Sequence, residues 1–236
     1  MTCILLTGAS RGIGAAARQL LEARGATVIG QATAAAGAGL IAADFADPSA
    51  PQALWDEALE QSGGAIDVLI NNAGLFRANP LEGSDIAWLD GWEETVRINL
   101  TAAAQLSRMA VRHWQARGVP GRIVHVASRA GYRGDSPQHW HYAAAKGGML
   151  AMHKTIARGY ASQRILSFAI TPGFTDTAMA GDYLASRGGP DLLRDIPLGR
   201  VATPEEIARI IAFCSLDAPE SMTGAVIDAN GASYVR

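Results

Sequence analysis

The sequence predicts an α/β protein built on one doubly wound parallel sheet of about seven strands, with helices on both faces. Three observations predict this fold class. Short apolar runs alternate with amphipathic stretches along the whole chain, the apolar runs are continuous, and a glycine-rich segment follows the first of them. Continuous apolar runs are typical of parallel strands that are buried on both sides. No repeat or linker divides the 236 residues, so we expect one domain over 1–236.

The predicted elements alternate in a regular order. Strands are expected at 3–6, 26–30, 39–43, 66–70, 122–127, 165–170 and 225–229. Helices are expected at 15–24, 51–61, 92–117, 139–161 and 204–216. Only residues 31–38 separate the second strand from the third, which is fewer than a parallel crossover usually takes. The helix expected there is therefore very short or absent.

Composition argues against several classes of function. The formal charge of −2 gives no electrostatic reason to expect nucleic acid or an anionic membrane as a partner. No apolar run approaches the roughly 20 residues of a membrane span, and the first residues do not resemble a signal peptide. Cys3 and Cys214 are far apart and predict buried free thiols, which indicates a reducing compartment. We therefore expect a cytoplasmic protein.

A glycine-rich segment, 7–14, separates the first strand from the first helix. Its glycines permit a tight turn and a close approach of the backbone to a ligand, and the helix N-terminus offers free N–H groups to a pyrophosphate. This position predicts dinucleotide binding, although a glycine-rich turn without a ligand is the simpler alternative. The expected contacts in this segment are Gly8, Ser10, Arg11, Gly12, Ile13 and Gly14.

Small or polar residues also stand where other apolar runs end. Ligands of an open α/β sheet bind beyond the carboxyl ends of its strands. Asp44 could accept a hydrogen bond from an adenine amino group or simply cap a loop, and Asn71 and Asn72 could be turn residues. The expected cofactor contacts at these ends are Asp44, Phe45, Asn72, Ala73, Gly74, Pro172 and Gly173.

Tyr142 and Lys146 lie four residues apart on a predicted helix and therefore share one face. A nearby ammonium favours the phenolate and lowers the pKa of a tyrosine from its unperturbed value of about 10. A tyrosine tuned in this way can act as a general acid or base near neutral pH. The alternative interpretation of the spacing is a pair of surface neighbours.

Together these motifs resemble the short-chain dehydrogenase/reductase family in its compact form, which has a Rossmann-type fold. The resemblance rests on the segments 7–14 and 71–74 together with Asp44, Asn99, Ser128, Tyr142, Lys146, Pro172, Gly173 and Thr175. These motifs follow the family order over nearly the whole chain. The glycine motif and the segments 28–30, 173–174 and 223–226 are most similar to the 3-oxoacyl-carrier-protein reductase branch.

The resemblance implies a catalytic set of Asn99, Ser128, Tyr142 and Lys146. Tyr142 would donate a proton to a carbonyl oxygen as hydride arrives, or take it from an alcohol. Lys146 would lower the pKa of Tyr142 and bind the nicotinamide ribose, so both residues are also expected cofactor contacts. Ser128 would bind the substrate oxygen, and Asn99 would hold a water that connects Lys146 to solvent. Family members are usually tetramers, so a homo-oligomer, either a tetramer or a dimer, is implied.

The spacing of the catalytic set departs from the family in one place. Ser128 precedes Tyr142 by fourteen residues, whereas thirteen is common, so we expect one inserted residue in the loop 131–141 that borders the substrate. His139 and His141 in this loop have no acidic or cysteine partner nearby in the sequence. We therefore expect them to line the substrate or lie on the surface, and we expect no metal site.

NADP(H) is favoured over NAD(H) as the cofactor. An NAD-specific member usually carries an acidic residue at the end of the second strand to bind the ribose 2′-hydroxyl. Here 31–33 contains no carboxylate, and Arg11 is suited to pair with a 2′-phosphate. Thr33 is expected among the cofactor contacts.

A long stretch rich in glycine and proline, 175–201, separates the sixth strand from the last helix. A connection of this length predicts a lid that closes over cofactor and substrate, although a surface insertion is the alternative. Phe174, Thr175 and Thr177 are expected cofactor contacts, and the two threonines would bond the nicotinamide amide or a phosphate.

The leading hypothesis is an oxidoreductase that transfers hydride between NADP(H) and a small-molecule carbonyl or secondary alcohol. A non-catalytic dinucleotide sensor, an NAD-dependent alcohol dehydrogenase and a nucleotide-fold methyltransferase are the alternatives. The substrate stays open among acyl thioesters, small ketones, cyclic alcohols and sugars.

Overall fold

The computed structural model describes residues 1–34, 39–177 and 193–236. Within them, seven strands form one sheet in the order β3-β2-β1-β4-β5-β6-β7, and every neighbouring pair is parallel. The strands are β1 Cys3–Leu6, β2 Thr27–Ala32, β3 Leu40–Ala42, β4 Val68–Asn71, β5 Gly121–Val126, β6 Ile165–Pro172 and β7 Val226–Ala229. The predicted fold class is confirmed, with boundaries that differ by up to two residues.

Helices cover both faces of this sheet. They are α1 Gly12–Ala23, α2 Ala50–Gln61, α3 Asp85–Val96, α4 Ala102–Arg117, α5 Ala130–Arg133, α6 Trp140–Tyr160 and α7 Pro204–Ala212. Turns of π-helix follow α3 and α7 at Arg97–Thr101 and Phe213–Asp217, and 3-10 turns lie at Ala161–Gln163 and Glu220–Met222. The helix expected at 92–117 is therefore three consecutive segments.

The start of α3 differs from the prediction because its first turns bury almost nothing. Within α3 only Thr95 is buried, so no apolar stripe marks the region before residue 92. The helix begins instead at a capping residue: the Ser84 hydroxyl accepts a hydrogen bond from the Ala87 N–H at 3.2 Å. This contact satisfies one of the free N–H groups of the first turn.

Two apolar layers enclose the sheet, and successive residues of each strand alternate between them. Leu5 faces the layer formed with α2 and α4, whereas Ile4 and Leu6 face the layer formed with α1 and α7. All three side chains are fully buried. This alternation explains why the strands are continuous apolar runs in the sequence.

The connection between β2 and β3 lies largely at 35–38, outside the described residues. The expectation of a short or absent helix there is therefore not tested. At the centre of the sheet, β1 pairs with both β2 and β4, so the order in which strands are added to the sheet reverses between β1 and β4. This is the switch point at which open α/β sheets bind ligands. No helix in the described part of the chain is long and apolar enough to cross a membrane.

Candidate active site

A cavity lies at the carboxyl ends of β1, β4, β5 and β6, beside the switch point. Most of the predicted site residues contribute to its wall. They are Gly8, Arg11, Gly12, Ile13, Gly14, Asn72, Ala73, Gly74, Asn99, Ser128, Tyr142, Lys146, Pro172, Gly173, Phe174, Thr175 and Thr177. The sheet therefore brings together residues that are more than 160 positions apart in the chain.

Four predicted cofactor contacts are not part of this wall: Ser10, Thr33, Asp44 and Phe45. Ser10 and Thr33 are exposed. The Asp44 carboxylate accepts a hydrogen bond from the Ala46 N–H at 2.9 Å, which makes it a loop cap, the alternative interpretation of this residue. The Phe45 side chain is buried in the apolar layer of α2 and α4, so it is a core residue.

The glycine segment is held in a tight turn between β1 and α1. A Cβ atom on Gly14 would lie 1.9 Å from the Gly8 carbonyl oxygen, so no side chain fits there. Gly8 has φ +67°, a conformation that favours glycine. The Asn72 amide donates to the carbonyls of Thr7 and Gly8 at 3.0 and 3.1 Å. Helix α1 begins without a side-chain cap, which leaves N–H groups for an anionic ligand.

Gln31, at the end of β2, is buried and hydrogen-bonded on both sides. Its carbonyl oxygen accepts from the Gly8 N–H at 2.8 Å, and its amide nitrogen donates to the Ala43 carbonyl at 2.6 Å. One side chain therefore joins the glycine segment to the residue that follows β3.

Asn99 lies fully buried in the π-helical turn between α3 and α4. Its side-chain oxygen accepts from the Leu75 N–H at 3.0 Å, and its nitrogen donates to the carbonyls of Leu75 and Thr95 at 2.9 and 3.0 Å. The side chain thus fixes the backbone that follows β4. Holding a water for Lys146 stays a prediction.

Ser128 follows β5 and faces Tyr142 on α6, although the two residues are fourteen positions apart rather than the thirteen common in the family. Both side chains line the cavity, and the Ser128 hydroxyl accepts a hydrogen bond from the Ala130 N–H at 3.1 Å. The intervening chain forms α5 and a loop, which accommodate the fourteen-residue separation.

The pKa of Tyr142 is raised to about 12, which is opposite to the lowering expected from the sequence. Burial is the main cause; the hydrogen bond with Ser128 lowers the pKa, and the charge of Asp135 raises it. Lys146 lies 5.8 Å from the ring centre, and its ammonium donates to the Val126 carbonyl at 2.9 Å. Burial lowers the pKa of Lys146 to about 8, so it keeps most of its charge at neutral pH.

His139 and His141 are both buried and neither lines the cavity, so the expectation that they line the substrate or lie on the surface is wrong. His139 stacks on Phe76 with ring centres 4.1 Å apart, and Phe76 contacts the Tyr142 ring edge-on at 4.8 Å. The Nδ1 atom of His139 is hydrogen-bonded to the Ser136 hydroxyl at 2.7 Å. Among the described residues, no cluster of His, Cys, Asp or Glu could hold a metal.

The wall also contains residues that sequence reasoning missed, among them Phe76, Arg129 and Asp135. Arg129 had a usable signal, because it directly follows Ser128 at a strand end. Phe76 lies two residues beyond the segment 71–74, and Asp135 lies in the loop 131–141. Nothing in the sequence pattern shows that these two side chains face the cavity.

A parallel sheet with a glycine turn at its switch point and a tyrosine–lysine pair in the adjoining cavity defines a Rossmann-type α/β protein. A family model described as enoyl-(acyl carrier protein) reductase matches residues 8–231. The chain belongs to the short-chain dehydrogenase/reductase family, whose members are oxidoreductases acting on carbonyl or CH–OH groups.

Similar proteins agree with this assignment over nearly the full length. The 3-oxoacyl-(acyl-carrier-protein) reductase of Vibrio harveyi is 35% identical over 242 residues, covering 98% of this chain and 96% of that protein. The reductase of the same name from Pseudomonas aeruginosa is 36% identical over 246 residues with the same coverage. A crystal structure of a candidate 2-deoxy-d-gluconate 3-dehydrogenase from Agrobacterium tumefaciens, with bound NADP, has a TM-score of 0.85 at 29% identity. That match covers 98% of this chain and 95% of the other.

Proposed function

We propose that this protein transfers hydride between NADP(H) and a small-molecule carbonyl or secondary alcohol, with Tyr142 as the general acid and base. One observation carries the proposal. The side chains of Tyr142 and Ser128 line the same cavity, whose wall also includes the glycine turn and Lys146. A substrate oxygen placed against this pair meets a proton donor and a second hydroxyl at one point.

The wall residues fit a dinucleotide. The uncapped start of α1 and the glycines of its turn suit the pyrophosphate. The Thr177 side chain packs against Gly12, because its methyl carbon lies 3.0 Å from the position that a Cβ atom on Gly12 would take. When bound, the cofactor supplies or accepts the hydride. Lys146 places a buried positive charge beside Tyr142, where it would bond a ribose hydroxyl and favour the phenolate that remains after proton transfer.

The raised pKa of Tyr142 keeps the phenol protonated at neutral pH, which suits the role of proton donor in carbonyl reduction. With a pKa of about 12 the phenol carries its proton and can donate it to the oxygen that becomes an alcohol. Ser128 holds that oxygen, and the proton and the hydride together complete the reduction. Oxidation requires the phenolate, which becomes more abundant as the pH rises.

Three observations favour NADP(H). The end of β2 carries the neutral Gln31, whose side chain is already engaged on both sides. Arg11 is exposed at the cavity wall, where a guanidinium suits a 2′-phosphate. The Agrobacterium tumefaciens neighbour binds NADP.

The experiment is to follow NADPH oxidation at 340 nm with a panel of ketones that includes a 3-oxoacyl thioester, the substrate class named for the relatives. We expect turnover with NADPH, weaker turnover with NADH, and a loss of about 10²- to 10⁴-fold in kcat for Tyr142→Phe. Tight NADPH binding without any turnover would support the sensor alternative. Full activity of Tyr142→Phe would refute the role given to the phenol.

We also propose that 1–236 forms one domain and that 175–201 is its lid, of which 178–192 lies outside the described residues. The bridge between Thr175 and Ala202 supports the lid, because it ties both ends of the stretch together at the cavity edge.

A dimer or tetramer formed through α4, α6 and β7 stays a prediction, and so does a cytoplasmic location. Light scattering of the purified protein tests the oligomeric state.

A further inference from the structure

Helix α5 is one short turn of helix, Ala130–Arg133, and it begins two residues after Ser128. A turn of this length is not stable on its own, because nucleating a helix costs more than its few hydrogen bonds return. Contacts with the rest of the chain must therefore fix its position. That position bears on the site, since the Ala130 N–H donates to the Ser128 hydroxyl at 3.1 Å and so orients it.

Backbone contact with α6 fixes one side of α5. A Cβ atom on Gly131 would lie 2.9 Å from the backbone nitrogen of Gly147 and 2.9 Å from the carbonyl oxygen of Lys146. The two backbones therefore approach each other as closely as the lack of a side chain permits. This contact sets the distance between α5 and α6, but a glycine has no side chain that could stop α5 from turning or sliding.

Tyr132 is the aromatic residue of α5, and three groups contact its ring. The Tyr234 ring stacks on it with ring centres 5.6 Å apart and an interplanar angle of 11°. The Arg236 guanidinium lies 5.2 Å from the ring centre and donates to the Tyr132 hydroxyl at 3.3 Å. From α6, the Lys154 ammonium lies 5.5 Å from the ring centre. Aromatic stacking and cation–π contacts are both attractive, so these groups hold the ring in place.

Arg236 is bonded to the edge of the sheet as well as to the Tyr132 ring. Its Nε atom donates to the Asp228 carboxylate at 3.0 Å, and a terminal nitrogen donates to the Val226 carbonyl at 2.6 Å, both on β7. An exposed ion pair stabilises a fold little by itself, but these bonds direct the guanidinium toward the ring. The segment 226–236 therefore connects α5 to the last strand of the sheet.

We propose that Tyr132 is a positioning residue of the reaction: its ring anchors α5 to β7 and α6, and α5 orients the Ser128 hydroxyl toward the substrate oxygen. This inference rests on the proposed function, in which Ser128 holds that oxygen. Tyr132 is not part of the cavity wall, so it acts through α5 rather than on the substrate. Its loss should slow the reaction and leave NADPH binding at the glycine turn unchanged.

The first test measures kcat and both KM values with the best ketone of the panel. We expect Tyr132→Leu to lower kcat about 10-fold, since small errors in position are costly in catalysis, with little change in the KM for NADPH. Tyr132→Phe keeps the ring and its contacts and should stay within about twofold of the wild type. Arg236→Gln removes one cation from the ring and should lower kcat about 2- to 5-fold.

A double-mutant cycle distinguishes positioning of Ser128 from a general loss of structure. In the Ser128→Ala background no hydroxyl is left to orient, so adding Tyr132→Leu should change kcat by less than about twofold. Single turnovers with enzyme in excess resolve the slow rates of these variants. Tyr160→Leu is the matched control, because it makes the same exchange at the last residue of α6, where the ring is partly buried against the layer of α2 and α4. It should lower the melting temperature and leave kcat unchanged in both backgrounds.

Hydrogen exchange gives a second measurement that needs no ketone. If the Tyr132 ring holds α5, Tyr132→Leu should speed the exchange of the Ala130 amide about 10-fold, because the bond from this amide to Ser128 opens more often. Tyr160→Leu should leave the exchange of this amide unchanged.

Three outcomes overturn the inference. They are a wild-type kcat in Tyr132→Leu, an equal loss of kcat with and without the Ser128 hydroxyl, and an unchanged exchange of the Ala130 amide in Tyr132→Leu. Each of them leaves the proposed function intact as long as the wild type reduces a ketone. If the wild type reduces no ketone, the proposed function itself fails, and the role of Tyr132 in the reaction fails with it.

Discussion

The ammonium of Lys146 lies 5.8 Å from the centre of the Tyr142 ring, yet its hydrogen bond goes to the carbonyl of Val126. The four-residue spacing therefore brings the two side chains together as expected on one helix face. The lysine is anchored to the end of β5, however, and burial determines the pKa values of both groups. Both residues therefore affect stability as well as the catalysis proposed for them.

Lys146→Met should stabilise the fold at neutral pH. Burial lowers the pKa of Lys146 from 10.5 to about 8, so the unfolded chain holds a proton that the folded chain releases between these values. The cost of burying the charge is complete below pH 8 and disappears as the pH rises toward 10.5. We expect a gain of about 1–3 kcal/mol in the free energy of unfolding at pH 7, and almost none at pH 10. Urea unfolding of both proteins at each pH measures this, and a variant less stable than wild type at pH 7 would contradict it.

Asp135→Asn should lower the pKa of Tyr142, because the negative charge of Asp135 raises it. The change should be a few tenths of a pH unit, since the carboxylate is exposed and screened. The pH profile of kcat/KM for alcohol oxidation, which rises with pH as the phenolate forms, should have its rising limb shifted to lower pH, and added salt should shrink the difference from wild type. Glu60→Gln, an exposed change on α2, is the control. Identical profiles for Asp135→Asn and wild type at low salt would argue against electrostatic coupling.

Gly14→Ala and Gly159→Ala should have opposite effects on the stability of the fold. A methyl group on Gly14 would lie 1.9 Å from the Gly8 carbonyl oxygen, so α1 or the glycine turn must move. We expect a loss of about 1–3 kcal/mol in the free energy of unfolding and weaker NADPH binding. Gly159 lies within α6, and no atom stands within 4 Å of the place that a methyl group would take, so alanine there should stabilise the helix by about 0.5–1 kcal/mol. Thermal unfolding and NADPH fluorescence titration measure both, and unchanged cofactor affinity in Gly14→Ala would speak against the turn as a binding site.

Asn99→Leu should cost about 1–3 kcal/mol of stability, because it leaves the backbone N–H and carbonyl of Leu75 without their side-chain partners. Asn99→Asp keeps the acceptor for the Leu75 N–H but loses the donor to the carbonyls of Leu75 and Thr95. We therefore expect it to lose stability through the carbonyl contacts alone. Urea unfolding separates stability from activity in both variants. If Asn99→Leu loses activity at full stability, a direct role such as the predicted water contact is favoured.

The sequence was sufficient for most of the sheet because its inner strands, such as β1, β4 and β6, are buried on both sides. A strand such as β4 has no polar side that could hide its apolar run, so its position is visible within two residues. Helix α3 is the opposite case: Ile86 and Leu89 are exposed, and only the capping residue Ser84 marks its start. The π-helical turns, in which Asn99 and Cys214 are buried, have no marker in the sequence pattern.

The candidate site was predictable where backbone geometry demands one residue type. Gly14 must be glycine because another backbone segment occupies the space of a side chain. The pKa of Tyr142 was not predictable, because it depends on burial by parts of the chain that are distant in sequence. Phe76 lines the cavity wall and contacts the rings of His139 and Tyr142, and no local sequence pattern records these contacts.

Gln31 has a consequence for how cofactor preference could be altered, whether by natural drift or by engineering. An exchange of Gln31 for aspartate or glutamate would put a carboxylate against the Ala43 carbonyl and lose the amide donor that joins β2 to β3. The same side chain accepts a hydrogen bond from the Gly8 N–H, which a carboxylate can also accept, so the loss falls on the link to Ala43. Substitutions at an exposed position next to β2, such as Thr33, would avoid this loss. In this scaffold, cofactor preference is costly to revise at Gln31 in a single mutational step.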